Sequence, residues 1–182
     1  IEEYEPDGVP VIFDLQLEAE ILGCQLQWAP HNPPAVISHP LAEGKTLADL
    51  HIPQAHEGRI PVMLDAARSL RQNYPDIALY GLITGPFTLA TGLKEQQGKY
   101  AYYDPQLRDV IVKLLCLKAT WQIRRLRQLQ VSVLMFMDEP SLVGFGSSAC
   151  LGVQADDITK DLNEIAGAIH AEQAWAGVHC CE

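Results

Sequence analysis

The sequence predicts an α/β fold in which a parallel β-sheet carries helices on its outer side. Short apolar runs alternate along the chain with longer segments of helical periodicity, which is typical of βα units. The apolar runs are nearly continuous, as in strands that are buried on both faces of a parallel sheet. The chain has 182 residues, 48% of them hydrophobic and 20% charged, so we expect one packed domain over residues 1–182.

Four apolar runs predict the strands. They cover residues 10–13, 77–82, 131–137 and 175–180. The second run opens an uncharged stretch, residues 77–93, that is nearly long enough to cross a membrane. Because Thr84, Gly85 and Pro86 interrupt this stretch, we interpret it as a strand, a turn and the start of a helix.

Four further segments predict helices. They cover residues 15–22, 60–73, 105–130 and 156–173. In the third segment, Leu107, Ile111 and Leu115 recur at the spacing of one helix face. Residues 24–58 contain five prolines and predict a long excursion with short extended pieces. The four histidines of this excursion lack metal-like spacing, so we interpret them as surface residues.

The composition excludes several classes of partner. A net charge of −10 makes the chain a poor partner for nucleic-acid phosphate or for an anionic membrane surface, and we expect neither. No basic and apolar signal peptide opens the sequence. The five cysteines are odd in number and irregularly spaced, which favours a reducing, cytoplasmic location over a disulfide framework.

Polar or turn-forming residues follow each of the four predicted strands. These residues are Asp14, Gly85, Pro86, Asp138, Glu139, His179 and Cys181. In parallel α/β folds the carboxyl ends of the strands lie at one rim, where ligands bind. We therefore expect these side chains to converge on one candidate site.

The last predicted strand carries a potential metal-binding pair. His179 and Cys181 are two residues apart, so both side chains point to the same face of a strand. A mixed nitrogen and sulfur donor set suits zinc better than magnesium or calcium. The spacing alone also fits a buried histidine and a free cysteine that pack in the strand. Cys180 points the opposite way and is interpreted as a core residue.

Two carboxylates follow the third predicted strand. Pro140 favours an extended conformation of Glu139, so Asp138 and Glu139 should aim in different directions. Either carboxylate could bind a substrate cation or act as a general acid or base, or both could belong to a solvated turn. Asp14 is likewise a candidate acid or a turn residue. The segment after the second strand either starts a helix, with Thr84 as its cap, or brings its backbone close to a ligand.

Four motifs in the same order resemble the uroporphyrinogen decarboxylase superfamily. They are VIFD at 11–14, GPFTLA at 85–90, DEPSL at 138–142 and AGVHCC at 176–181. This superfamily includes cobalamin-independent methionine synthase and the methylcobamide:coenzyme M methyltransferases. The last two motifs are similar to the DEP segment of methionine synthase and to the zinc-binding HxC strand of the methyltransferase branch.

The resemblance implies a TIM-type barrel, of which this chain supplies about the first four βα units. It also implies that His179 and Cys181 are the first two ligands of a Zn²⁺ ion, with a third ligand beyond residue 182. Asp138 would contact the amine of an amino-acid-like thiol substrate. The zinc-bound thiolate would attack a methyl group on a folate or a corrinoid, the latter carried by a corrinoid protein. Because half a barrel leaves open sheet edges, we also expect a second chain or a homo-oligomer.

Two alternatives to this methyltransferase remain open at the level of sequence. The first is a metal-free decarboxylase-like lyase, in which Asp14 matches the catalytic acid by position and Arg59 would hold a substrate carboxylate. The decarboxylase has a tyrosine shortly after the GPFT-like signature where this chain has Gly92, which favours the methyltransferase branch. The second alternative is a non-catalytic fragment that keeps the fold but not the activity.

Overall fold

A computed structural model describes residues 1–11, 14–49, 54–94, 97–129 and 132–180. Its strands are β1 (Gly8–Pro10), β2 (Leu26–Gln27), β3 (Ala35–Val36), β4 (Ala78–Thr84), β5 (Leu134–Asp138) and β6 (Trp175–His179). Its α-helices are α1 (Leu17–Ile21), α2 (Ile60–Asn73), α3 (Pro86–Gly92), α4 (Pro105–Leu126) and α5 (Ala155–Ala171). Short 3₁₀ turns lie between several of these elements, two of them in the loop between β5 and α5.

The main sheet is parallel, as the sequence predicts. Within the described residues its strand order is β1-β4-β5-β6, and every neighbouring pair runs parallel. The register places Thr84 opposite Asp138, and Asp138 opposite His179. The carboxyl ends of the three later strands are therefore level with one another, which brings the residues at their tips into one row.

The strand boundaries differ from the predicted ones by a few residues. β1 begins two residues earlier than predicted, and residues 12 and 13 lie outside the described part of the chain. β4 continues to Thr84, and Asp138 is the last residue of β5 instead of the first residue after it. The apolar content of a segment marks where a strand is buried, whereas its end depends on how far the neighbouring strand continues to pair with it.

The helices agree with the sequence prediction more closely. α2 has the predicted bounds, and α4 begins at the predicted residue but ends at Leu126 instead of 130. The start of α4 is fixed locally, because the Asp104 carboxylate accepts backbone N–H groups of Gln106 (2.9 Å) and Leu107 (3.1 Å). Pro105 takes the first helical position, where its missing N–H is harmless.

The hydrophobic core lies between the sheet and the helices. Fully buried side chains on the strands include Ile83, Met135 and Met137, and they pack with a buried stripe on α4 that includes Leu115 and Ile123. Strand side chains point alternately to the two faces of a sheet. One face of the strands is therefore covered by helices.

The opposite face of the sheet is less covered than the sequence predicts. Tyr80, Leu134 and Phe136 are only partly buried, and Trp175 on the edge strand is 71% exposed. The prediction that the strands are buried on both faces is therefore confirmed for the helix-covered face and only in part for this one, where Leu82, Thr84 and Asp138 are buried. An apolar run shows only that the side chains of a strand are apolar. It does not show which residues cover them, and the described residues form no second layer over this side of the sheet.

The excursion between α1 and α2 contains the two short strands β2 and β3, which pair antiparallel as a separate small sheet. This agrees with the predicted short extended pieces. Among the helices in the described part of the chain, none has the length and apolar character needed to cross a membrane.

Candidate functional site

The tips of β5 and β6 form the centre of the candidate site. The Nδ1 atom of His179 lies 2.6 Å from Oδ1 of Asp138, so the ring nitrogen donates a hydrogen bond to the carboxylate. The Asp138 side chain is almost fully buried, whereas that of His179 is 44% exposed. A carboxylate in this position fixes the orientation of the imidazole ring, as it does in many histidines that bind metal ions through Nε2.

Backbone hydrogen bonds hold the three strand tips together. The N–H of Glu139 donates to the carbonyl oxygen of His179 (2.8 Å). The N–H of Gly85 donates to the carbonyl oxygen of Asp138, also at 2.8 Å. The ladder between neighbouring strands thus continues past the last residue of each strand, and this limits how far Asp138 and His179 can move relative to each other.

The side chain of Glu139, which directly follows β5, is buried against the start of α3. The Glu139 residue is 0% exposed, and its two carboxylate oxygens accept the backbone N–H groups of Phe87 (2.9 Å) and Thr88 (2.8 Å). Burial raises the pKa of this carboxyl above its ordinary value, and the hydrogen bonds from Thr88 and Phe87 act in the opposite direction. Asp138 and Glu139 therefore aim in different directions, one at His179 and one at α3.

Gly85 and Pro86 form the turn into α3. Gly85 is the N-cap in an extended conformation, and Pro86 takes the first helical position. A Cβ atom on Gly85 would lie 2.1 Å from Cδ of Glu139, so the turn has no space for a larger residue. The glycine allows a close approach, as one of the sequence interpretations requires, but the group that approaches it in the structure is a protein side chain.

Thr84 is not the helix cap that the sequence suggested. Its hydroxyl lies 2.7 Å from the Glu18 carboxylate and 3.0 Å from the carbonyl oxygen of Leu15. Its N–H also donates to Glu18, at 3.0 Å. The hydroxyl is engaged by α1 and the residues just before it, and the cap position falls one residue later, at Gly85.

Glu18 is a buried acid that the sequence reasoning did not single out. It is 3% exposed and pairs with Lys118 of α4 (2.5 Å) in addition to Thr84. An acidic residue within the mainly apolar segment 15–22 was a visible signal. Its partners are 66 and 100 residues away along the chain, so the sequence could not identify them.

Asp14 lies near the tip of β1 and belongs to a different cluster. Its Oδ1 accepts the N–H of Gln16 (2.8 Å), and its Oδ2 pairs with the guanidinium of Arg59. The Nε atom of Arg59 lies 2.7 Å from Glu20, and its guanidinium stacks over the Trp28 ring at 4.9 Å. Burial lowers the pKa of Arg59.

The contacts described for Asp14 are with Gln16 and Arg59, and not directly with the Asp138–His179 pair. The next residue, Leu15, accepts a hydrogen bond from the Thr84 hydroxyl (3.0 Å), and Thr84 pairs with Asp138 in the sheet. The role of Asp14 in the same site therefore stays a prediction. Of the residues that the sequence placed at one rim, the structure joins Gly85, Asp138, Glu139 and His179 directly.

The described residues contain one oriented histidine at this site but no complete metal-binding group. No cluster of three or more His, Cys, Asp or Glu side chains suited to a metal ion occurs in the parts of the chain that the structure describes. Cys181, the second predicted ligand, lies outside them. Cys180 is exposed at the end of the edge strand, so its interpretation as a core residue is wrong. The His179–Asp138 pair fits one ligand of a zinc site with its supporting carboxylate.

Known proteins with similar sequences are methyltransferases. A methylated-thiol–coenzyme M methyltransferase of Methanosarcina mazei is 37% identical over 112 residues, which are 57% of this chain and 29% of that protein. The methylcobamide:CoM methyltransferase MtbA of Methanosarcina acetivorans is 31% identical over 86 residues, or 46% of this chain and 25% of that protein. This chain therefore matches less than a third of the length of these relatives.

The fold and the family are also identified. A solved methyltransferase structure from Methanosarcina mazei superimposes on 97% of this chain and 52% of that one, with a TM-score of 0.68 at 19% identity. This similarity shows the fold, a TIM-type barrel of which the four parallel strands form about half. Residues 1–111, well over half of the chain, match the uroporphyrinogen decarboxylase (URO-D) family. The chain belongs to the uroporphyrinogen decarboxylase family, with relatives in its methyltransferase branch.

Proposed function

We propose that this chain provides the first half of a zinc-dependent methyltransferase that moves a methyl group from a corrinoid to a thiol. The observation that carries the proposal is the hydrogen bond between His179 Nδ1 and a buried carboxylate at the carboxyl end of the sheet. The names of both relatives describe methyl transfer involving coenzyme M, and one also names a methylcobamide. These names favour a corrinoid over a folate as the donor, and a corrinoid protein as the partner that presents it.

His179 and Cys181 would hold the zinc ion. His179 would bind through Nε2, because Nδ1 is used by Asp138. Cys181 follows two residues later, which places both side chains on the same face if the strand continues. A third protein ligand would come from the other half of the barrel. Bound zinc would supply Lewis acidity, which deprotonates a coordinated thiol at neutral pH.

Asp138 would act mainly by orienting His179. Its side chain is almost completely buried, and one carboxylate oxygen is already used by the imidazole. An ionised partner strengthens this hydrogen bond and keeps the proton on Nδ1, so that Nε2 can act as a ligand. A contact between Asp138 and a substrate amine stays a separate prediction. Comparison of the zinc affinity with the thiol affinity of an Asp138→Asn variant distinguishes the two roles.

The arrangement around Asp14 favours this proposal over the decarboxylase-like lyase. Both Asp14 oxygens already accept hydrogen bonds, from Gln16 and from Arg59. Arg59 itself pairs with Asp14 and Glu20, so one positive charge faces two carboxylates. A substrate carboxylate that approached Arg59 would meet a net negative cluster, which makes this arginine a poor anion site.

A pair of neighbouring cysteines offers a matched experiment. In the intact protein, Cys181→Ser removes a proposed zinc ligand, whereas Cys180→Ser changes the adjacent residue, whose side chain points to the other face of an extended strand. The assay follows methyl transfer from methylcobalamin to coenzyme M by the loss of methylcobalamin absorbance. We expect transfer by wild type and Cys180→Ser and little transfer by Cys181→Ser. Equal activity of the two variants would contradict the proposal.

A further inference from the structure

Glu139 is a buried ionisable residue at the site for which the proposed chemistry has no use. It follows Asp138 directly, but its side chain points away from His179 and into the start of α3. Residue 139 is 0% exposed, and both carboxylate oxygens already accept backbone N–H groups at 2.8–2.9 Å. A substrate could reach this carboxylate only if α3 moved.

The local geometry is built around this carboxylate. Gly85 has no Cβ, and any Cβ there would overlap the Glu139 side chain at 2.1–2.4 Å. The N–H of Ser141 also donates to Thr88 Oγ1 (3.2 Å), which joins the residues after β5 to α3 a second time. Hydrogen bonds of both Glu139 and Ser141 thus connect the tip of β5 to the start of α3.

The backbone of Glu139 is also hydrogen-bonded to β6. The Glu139 N–H donates to the carbonyl oxygen of His179, and the Gly85 N–H donates to the carbonyl oxygen of Asp138. Residues 138 and 139 together therefore link the ends of β4, β5 and β6. If the Glu139 side chain lost its hold on α3, the tip of β5 would gain freedom, and Asp138 is the next residue along it.

We infer that Glu139 is a positioning residue, which anchors the tip of β5 on α3 so that Asp138 holds His179 in the orientation for metal binding. This inference rests on the proposed function for the metal, but the effect on the Asp138–His179 hydrogen bond can be tested without it. The role differs from the substrate contact that the sequence suggested for this residue.

A carboxylate suits this anchor better than its close substitutes. Two N–H donors from consecutive residues require two acceptor oxygens, and the start of a helix favours a negative charge. Glutamine keeps the length but places an NH₂ group against one of the two N–H donors. Aspartate keeps the charge but is one methylene shorter, so it cannot reach both N–H groups from the same backbone position.

The first test compares Glu139→Gln with wild type in the intact protein. A short hydrogen bond from Nδ1–H to a carboxylate gives a downfield proton resonance, which ¹⁵N-labelled histidine identifies by NMR. We expect this His179 signal to weaken or move upfield in Glu139→Gln. We also expect the affinity for Co²⁺, a spectroscopic probe of the zinc site, to fall about tenfold, at the lower end of the range for changes behind a metal ligand.

Glu18→Gln is the matched control. Glu18 is also a buried glutamate that accepts hydrogen bonds at the tip of β4, but its partners Thr84 and Lys118 lie on β4 and α4. The Glu18→Gln variant should have a lower melting temperature than wild type, with an unchanged His179 signal and an unchanged Co²⁺ affinity. An equal loss of Co²⁺ affinity in both variants would show a general effect of destabilisation and overturn the inference.

A milder variant keeps the test available if Glu139→Gln does not fold. Thr88→Val removes the hydroxyl that accepts the Ser141 N–H and also hydrogen-bonds to the Glu139 carboxyl, at a half-buried position, so it loosens the same junction. It should move the His179 signal in the same direction by a smaller amount, and no change in this signal would overturn the inference. If wild type binds no Co²⁺, the proposed function fails, whereas the NMR signal still decides the role of Glu139.

Discussion

Gly85→Ala tests the packing at the centre of the site most directly. Gly85 has φ −69° and ψ 157°, a conformation that alanine adopts without strain. The cost of the substitution therefore comes only from the added methyl group. This group would lie 2.1 Å from Cδ, 2.3 Å from Cγ and 2.4 Å from Oε1 of Glu139.

The size of the effect follows from the hydrogen bonds that must break. An ordinary contact begins at 3.4 Å, so the Glu139 carboxyl group has to move by about 1.3 Å. Such a shift stretches the bonds from Phe87 and Thr88, now 2.9 and 2.8 Å, out of hydrogen-bonding range. At about 1.5–3 kcal/mol for each hydrogen bond to a charged group, we expect a loss of about 3–6 kcal/mol in the free energy of unfolding.

Urea unfolding followed by circular dichroism measures this loss. Gly92→Ala is the matched control, because Gly92 ends the same helix and has no atom within 4 Å of its added Cβ. It should change the free energy of unfolding by less than about 1 kcal/mol. If Gly85→Ala is also within about 1 kcal/mol of wild type, the close packing of Glu139 against this turn is wrong.

Four further predictions concern Asp138, Cys24 and Gly167. Asp138→Asn should lower the Zn²⁺ affinity about 10- to 100-fold by calorimetry; unchanged zinc affinity with weaker thiol binding would instead indicate a substrate contact. Burial, together with the negative charge of Glu43, raises the pKa of the Cys24 thiol from 9.0 to about 11. The contribution of this thiol to the free energy of unfolding should therefore be full below pH 9 and decline towards pH 11, and unfolding experiments at several pH values check this. At pH 8, iodoacetamide should label Cys24 much more slowly than the exposed Cys180, and equal rates by mass spectrometry would refute the burial of Cys24. Gly167→Ala, at an exposed position within α5 with open space around the added Cβ, should raise the free energy of unfolding by about 0.5–1 kcal/mol, and a decrease would contradict this packing.

Much of the fold could be predicted because it depends on local patterns. The bounds of α2 follow from its periodicity and its early proline, and the parallel sheet follows from the alternation of apolar runs with helices. The position of the site at the strand tips follows from the same alternation. The exposure of Cys180 could not be predicted in this way, since it depends on which strands pair with β6 among the described residues.

The contacts of the individual acids could not be predicted from the sequence. Glu139 caps a helix that begins more than fifty residues before it, and Asp14 pairs with Arg59, which is 45 residues away. Both contacts depend on the register of the sheet and on the path of the excursion between α1 and α2. Composition and spacing do not reveal the register of the sheet or the path of this excursion. A carboxylate that follows a strand therefore suggests a ligand-binding group in the sequence, whether its side chain faces a cavity or a helix in the structure.

The zinc content of the intact protein tests the central claim most directly. Metal analysis of protein purified under reducing conditions should find about one zinc per chain in wild type and in Cys180→Ser, as expected for a single mononuclear site. His179→Ala and Cys181→Ser should each lose most of this zinc while retaining the circular dichroism spectrum of wild type. A wild-type protein without zinc, or a Cys181→Ser variant with undiminished zinc, would contradict the account.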